Sequence, residues 1–282
     1  VNIEMLFEWL LRHRCRVIWT LHDCWAITGH CIHFHSVGCD QWESGCGLAG
    51  LCPLQDTYPE TFRKGMEKWT YEQKKRIFTS LPTDRMTLVV PSEWLKRYID
   101  RSFFPSTRQL LCPMLPIQLC SNQRRTVSGK LMGGRSVYGA RCCLKWVERK
   151  GLPIFLELTD ILDRDKYVVV LVGLRRGRLR ETRGRVVRLP RINDQRDLAK
   201  IYSAADVLVN PSTEETFGMN VAEAVVCGTR AIVMRGSACA EVADNLIETI
   251  PDARAIAREI EKLRIERGSS CSDASIQSGT SA

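Results

Sequence analysis

Apolar residues recur at helical spacing near the start of the chain (Ile3, Leu6, Phe7, Leu10, Leu11), which predicts an amphipathic helix over residues 3–13. Residues 15–21, CRVIWTL, are short, β-branched and aromatic, and predict a buried strand ending at HDCW. Residues 28–53 are rich in Gly, His and Cys and carry no period. Residues 61–78 are patterned as a helix, and 87–90 as a strand that runs into PSEWL. There Ser92, followed by Glu93 and an apolar pattern, fits a helix N-cap.

Residues 106–136 mix Pro, Gly, Cys and Arg without a period and suggest an irregular interdomain stretch. Alternation then returns. Helices are predicted at 152–162, 194–203, 219–227 and 253–264, and strands at 166–172, 185–189, 206–209 and 231–234. Pro153 is tolerated in a first turn, and Gly228 stops the third of these helices. From Gly268 the tail is Ser-rich and reads as disordered. Strands alternating with helices predict parallel α/β sheets. The division expected is a partial first domain over 1–112, a divergent linker over 113–136, a second domain over 137–265 and a disordered tail over 266–282. In doubly wound sheets ligands sit beyond the carboxyl ends of strands. HDCW, PSEW, Gly173 and NPSTEE all fall just after predicted strands.

Length and charge narrow this picture. The chain has 282 residues, 44% of them hydrophobic, enough for one large domain or two ordinary ones. No apolar run reaches membrane-spanning length. No cleavable leader is recognisable, and the chain opens on Val1 directly into helical periodicity, as a fragment lacking its natural beginning does. The net charge of +9 is local in part: Arg175, Arg176, Arg178, Arg180, Arg183, Arg185, Arg188 and Arg191 crowd one segment. No aromatic residue interleaves them, which argues against base stacking and leaves a solvated loop or a patch facing an anionic membrane.

The chemistry centres on residues 214–228, EETFGMNVAEAVVCG. If the helix starts at Met219, backbone amides of Phe217, Gly218 and Met219 are available to a phosphate, and Gly218 allows close approach. Glu215 and Glu223, eight positions apart, would repel that phosphate. As ionised carboxylates they accept hydrogen bonds, so hydroxyl groups are their natural partners. A nucleotide sugar offers both kinds of group. In WVERKG, residues 146–151, Arg149 and Lys150 supply a planar fork and a point charge for a diphosphate. In TLHDCW, residues 20–25, His22 is placed to donate to a sugar hydroxyl or act near a leaving group, and Asp23 to orient it or to accept from substrate.

Residues 206–233, DVLVNPSTEETFGMNVAEAVVCGTRAIV, resemble the donor-binding signature of the family-four retaining glycosyltransferases, with Glu215 and Glu223 on the Glu-x7-Glu pair. IWTLHDCWAITGHC, GCDQW and VVPSEWL resemble a bacterial subgroup of colanic-acid-type polysaccharide glycosyltransferases. The resemblance implies a GT-B fold: two Rossmann-like doubly wound domains facing a cleft, the first incomplete here. It implies that Glu215 contacts the donor sugar, Glu223 the ribose, and Arg149 and Lys150 the diphosphate, with His22 facing the sugar. Gly173, Thr216, Phe217, Gly218 and Met219 complete the expected donor site. No catalytic metal is required by that family, and the acceptor is a polysaccharide or a lipid-linked glycan at the cytoplasmic face of the inner membrane. The chain departs from the pattern where GARCCLK replaces the first strand expected before VERKG. An inactive fragment that at most binds nucleotide is the competing expectation.

Of the 13 cysteines, Cys24, Cys31, Cys39, Cys46 and Cys52 lie in one short stretch with His30, His33 and His35. Thiolates and imidazoles suit tetrahedral Zn²⁺. Cys31, Cys39, Cys46 and Cys52 are the expected ligands of a structural zinc, set against buried free thiols and against a zinc-stabilised interaction module.

Overall fold

The computed structural model describes residues 2–48, 50–60, 63–104, 106–114, 136–142, 150–174 and 185–276, with backbone alone at 136–142 and 267–276. The chain divides into two compact units. The first comprises Val1–Met114 and Glu214–Phe217, the second Leu115–Thr213 and Gly218–Ala282.

In the first unit, helix α1 (Ile3–His13) leads to strand β1 (Val17–Thr20). A short helix α2 (Gln41–Ser44) and helix α3 (Glu67–Phe78) precede strand β2 (Met86–Val90), helix α4 (Glu93–Asp100) and strand β3 (Arg108–Leu111). The three strands form a parallel sheet in the order β1-β2-β3, with Val17 opposite Met86 and Thr87 opposite Arg108. Alternation along β2 buries Met86, Leu88 and Val90. Each such side chain contributes about 1.5–3 kcal/mol on burial. Rings extend this core: Phe7 and Phe78 lie 5.4 Å apart, and Trp19 packs edge-on against Phe78 at 4.8 Å. A second aromatic group, Phe34, Trp42, Trp94 and Tyr98, fixes the His- and Cys-rich segment on α4.

The second unit begins with strand β4 (Ser136–Cys142), then helix α5 (Leu152–Ile161), strand β5 (Tyr167–Val172), strand β6 (Val186–Leu189) and helix α6 (Gln195–Ala204). Strand β7 (Val207–Asn210), helix α7 (Met219–Val226), strand β8 (Arg230–Met234), strand β9 (Ile247–Thr249) and helix α8 (Ala253–Ile276) follow. All six strands are parallel, in the order β6-β5-β4-β7-β8-β9. Strand β5, YVVVLV, is buried throughout because both its faces are covered. Tyr167, Val169 and Leu171 join Phe155, Leu158, Ile256 and Ile260 on one face; Val168, Val170 and Val172 lie in a separate cluster with Ala205.

Three expectations change. GARCCLK does not replace a strand: β4 ends inside it and is central to the sheet, paired with both β5 and β7. Its Gly and Arg residues hide it from any hydrophobic count, and its neighbours' pairing imposes the extended backbone. Helix α8 continues to Ile276, through residues whose Ser-rich composition predicts disorder. Asp194, expected in the first turn of α6, is its N-cap and accepts from the amides of Arg196 and Asp197.

Candidate functional site

The chain order of the second sheet reverses between β4 and β7, which makes the carboxyl ends of those strands the topological switch point. Asn210 ends β7 fully buried. Its Oδ1 accepts from the Ser212 amide (3.1 Å), and its Nδ2 donates to Asn220 Oδ1 (3.2 Å) and Cys239 Sγ (3.1 Å). This ties the Asn-Pro-Ser turn to the first turn of α7. Helix α5 starts beside the same turn: a Cβ on Gly151 would stand 2.4 Å from Pro211 Cγ. Lys150 therefore precedes a helix end adjoining the switch point, while its expected companion Arg149 lies outside the described residues.

Helix α7 starts at Gly218, whose φ of 101° belongs to the left-handed region. A side chain there is excluded twice, by that backbone and by Cys239 Sγ, 2.6 Å from where a Cβ would sit. No side chain caps this end; the amides of Val221 and Ala222 turn back to the Gly218 carbonyl. The first-turn amides of Met219 and Asn220 thus lie at the positive end of the helix dipole. Glu223 lies about one turn further along α7, half-buried. Its Oε2 accepts from the Tyr202 hydroxyl at 2.9 Å. Burial raises its pKa, and the Tyr202 bond opposes that rise. Gly173, expected in the donor site, closes β5 with φ 78° and donates its amide to the Leu189 carbonyl.

In the first unit the predicted residues cluster at the ends of β1 and β2. His22 is exposed just past β1. Asp23 does not reach out to orient it: its Oδ1 accepts from the Trp25 amide at 2.8 Å and shapes the turn. The segment Glu214–Phe217 belongs to this unit. Thr216 Oγ1 donates to the His22 carbonyl at 2.8 Å, and Ser92 Oγ donates to the Thr216 carbonyl at 2.7 Å. Ser92 also caps α4, as expected, by accepting from the Leu95 amide. Glu215 is half-buried and Phe217 buried, so the side chains of Thr216 and Phe217 serve the loop's own packing. Glu215 and Glu223 fall in different units.

Three contributors escaped the sequence reading. Glu214 is fully buried and accepts from the amides of Phe34, His35 and Ser36 at 2.6, 3.0 and 3.0 Å. Lys74 is 4% exposed. It donates to the carbonyls of Trp25 (2.7 Å) and Thr28 (2.9 Å), and its ammonium sits 3.5 Å from the Trp25 ring centroid. Tyr202 anchors Glu223. Neither a doubled Glu nor a Lys within a charged helix stands out in a sequence; tertiary burial alone distinguishes them.

The expected zinc ligands share a neighbourhood. Burial, with the nearby sulfurs of the set, raises the thiols of Cys31 to about 12 and Cys46 to about 11; Cys52 is also raised. The Gly29 amide donates to Cys46 Sγ at 3.1 Å. Among the described residues no three His, Cys, Asp or Glu side chains form a group able to hold a metal ion. The structural-zinc set of Cys31, Cys39, Cys46 and Cys52 has proximity in its favour and no assembled ligand geometry.

This arrangement can be set beside known proteins. Residues 140–264 match the family described as glycosyl transferases, group 1. That stretch contains the switch point, the start of α7 and Glu223. A mannosyltransferase of Mycobacterium tuberculosis, described as GDP-mannose-dependent alpha-(1-6)-phosphatidylinositol dimannoside mannosyltransferase, is 39% identical over 70 residues, 22% of this chain and 18% of that protein. A colanic acid biosynthesis glycosyl transferase of Escherichia coli, WcaC, is 42% identical over 43 residues, 15% of this chain and 9% of that protein. The chain thus aligns with under a fifth of these relatives' length. In three dimensions it is similar to Anabaena Alr3699/HepE, solved in complex with UDP-glucose (TM-score 0.63, 14% identity, 94% of this chain and 67% of that one). The fold class is α/β, that of GT-B glycosyltransferases. Among the described residues no helix is long and apolar enough to cross a membrane.

Proposed function

We propose that the chain acts as a retaining glycosyltransferase, moving a hexosyl group from a nucleotide-sugar donor to a polysaccharide or lipid-linked glycan acceptor. The observation that carries this reading is the side-chain-free start of α7 at Gly218, beside the switch point and within the stretch that matches group 1 glycosyl transferases. Anions bind where first-turn amides and the helix dipole coincide. In the reaction, the bond from the anomeric carbon to the diphosphate breaks and the nucleoside diphosphate leaves with the electron pair. The acceptor hydroxyl then bonds to the same face and passes its proton to the departing diphosphate oxygen.

Each residue has a role in that scheme. The amides of Gly218 and Met219, with Lys150 and Arg149, stabilise the departing diphosphate, the term that dominates such transition states. Glu223 accepts from the ribose and Glu215 from the donor sugar, and exposed His22 faces the sugar, as the resemblance implies. No step uses a metal. The exposed Arg185, Arg188 and Arg191 suit an anionic membrane surface on the cytoplasmic side, where lipid-linked acceptors are presented.

A thermal-shift screen of the purified chain against UDP-, GDP- and ADP-sugars, followed by release of nucleoside diphosphate, tests the proposal. One donor should stabilise the protein, and Glu215→Ala and Glu223→Ala should abolish release. No shift with any donor overturns donor binding; a shift without release or transfer overturns catalysis.

A further inference from the structure

The carboxylate of Glu214 has no place in the chemistry above, yet it is the most completely enclosed acid described in the site. It is fully buried and faces three successive backbone amides, those of Phe34, His35 and Ser36, at 2.6, 3.0 and 3.0 Å. His33 Nδ1 stands 3.8 Å from Oε1. A carboxylate buried in this way is tolerated because several donors replace its water. Successive amides that converge on one anion form a nest.

The nest is itself held rigidly. Phe34 is clamped between Trp42 (5.1 Å) and Tyr98 (5.2 Å), and His35 Nδ1 is 2.9 Å from the Tyr98 hydroxyl. The loop that carries Glu214 has two more ties within two residues, Thr216 Oγ1 to the His22 carbonyl and Ser92 Oγ to the Thr216 carbonyl. Glu215 sits between these fixed points.

We propose that Glu214 is a positioning residue: by filling the 34–36 amide nest it fixes the loop that presents Glu215 beside the end of β1. Its meaning for turnover rests on the sugar-transfer reading; its anchoring role does not. The carboxylate matters more than the side-chain shape. Glu214→Gln keeps the volume but turns an NH₂ group toward N–H donors, whereas Glu214→Asp keeps the charge with the carboxylate withdrawn by one methylene.

Hydrogen exchange of the full chain decides the anchoring. In Glu214→Gln the amides of 34–36 and the segment 214–217 should exchange at least tenfold faster, while β5 and β7 keep wild-type protection. Glu214→Asp should fall between wild type and Glu214→Gln. Unchanged exchange at 34–36 in either variant overturns the proposal. With whichever nucleotide sugar the wild type turns over, Glu214→Gln should lower kcat at least tenfold with a smaller change in KM, and Glu214→Asp should recover part of the loss. Wild-type kcat in a variant whose 34–36 amides are released refutes the positioning role. Absence of turnover in the wild type removes the transfer reading and leaves the exchange result to judge the anchor.

Discussion

Replacing Lys74 by Met should produce a stability difference that depends on pH. The substitution keeps an apolar stem of similar length and removes the nitrogen. In the native protein that nitrogen donates to the Trp25 and Thr28 carbonyls at 2.7 and 2.9 Å and lies 3.5 Å from the Trp25 centroid. Loss of the donor deprives the buried Thr28 carbonyl of this partner, at about 1–3 kcal/mol, while the Trp25 carbonyl keeps the Thr28 amide at 3.4 Å. Against this stands the burial of an ammonium group. Desolvation pulls the Lys74 pKa down from 10.5 to about 7, opposed by Cys31, Cys46 and Asp23. At about 1.4 kcal/mol per decade, such a drop corresponds to at most about 5 kcal/mol of penalty on the charged form.

The sign follows from proton counting. Between pH 7 and 10.5 the unfolded chain binds a proton at Lys74 that the folded chain does not, so the Lys74 contribution to stability rises with pH across that window. That contribution is flat below pH 7, where Lys74 is protonated in both states. Lys74→Met lacks this dependence. At pH 9.5 the neutral amine donates both bonds, and the variant should be less stable by about 1–3 kcal/mol. At pH 6.5 the gap should close or reverse. Removing Lys74 also removes a charge that lowers the Cys46 thiol, but Cys46 near 11 and Cys31 near 12 lie above the range compared. Urea midpoints at pH 6.5, 8 and 9.5, followed by tryptophan fluorescence, provide the comparison. A gap that stays constant, or narrows as pH rises, refutes the assignment of Lys74 as a group neutralised by burial.

Three further outcomes are expected. Gly29→Ala would place a Cβ 2.3 Å from the Glu67 carbonyl oxygen and 2.8 Å from Cys46 Cβ, so it should destabilise the first unit by about 2–3 kcal/mol; a melting temperature equal to wild type contradicts that packing. Tyr202→Phe removes the donor that opposes the raised pKa of Glu223, so the acid limb of donor binding should move to higher pH with a loss of about 1–2 kcal/mol in stability, and an unmoved limb would show that Glu223 does not titrate with donor binding. Cys31 and Cys46, held near 12 and 11, should resist a disulfide reagent at pH 7.5 until the protein unfolds, whereas exposed Cys112 reacts at once. Rapid native labelling of the buried pair, or stoichiometric zinc in the purified protein, would mean the sulfurs adopt another arrangement.

The elements read most easily from the sequence were those whose burial is periodic or complete. Strand β5 is an uninterrupted apolar run, α1 repeats its apolar face every three or four residues, and Ser92 and Gly228 mark helix ends by their own chemistry. Strands β3, β4 and β9 escaped because pairing, not composition, makes them extended: β4 holds Gly and Arg yet lies between two buried strands, and β9 is three residues long at the sheet edge. The site divides along the same line. The positions of His22, Gly218 and Glu223 just past strands or at a helix start were visible from local pattern. Glu214 and Lys74 were not, because their partners lie 180 and 49 positions away at Phe34 and Trp25.

That difference bears on how acids and hydroxyls near a strand end should be weighed. Every backbone amide and carbonyl drawn inside must find a partner, and turns beyond parallel strands have no ladder to supply one. Nearby polar side chains meet that demand first. Asp23 serves Trp25, Ser92 serves Leu95 and Thr216, Asn210 serves Ser212, and Glu214 serves three amides at once. Of these acids the sequence offers Asp23 as a candidate ligand for substrate, since it has the right chemistry beside the right element. The structure separates them by what their oxygens already hold. An acid buried against the amides of its own turn holds that turn in place, so substitution there should loosen backbone before it alters chemistry. Glu223 differs: one of its oxygens accepts from the Tyr202 hydroxyl, an arrangement that orients the carboxylate and leaves the turn-building to others.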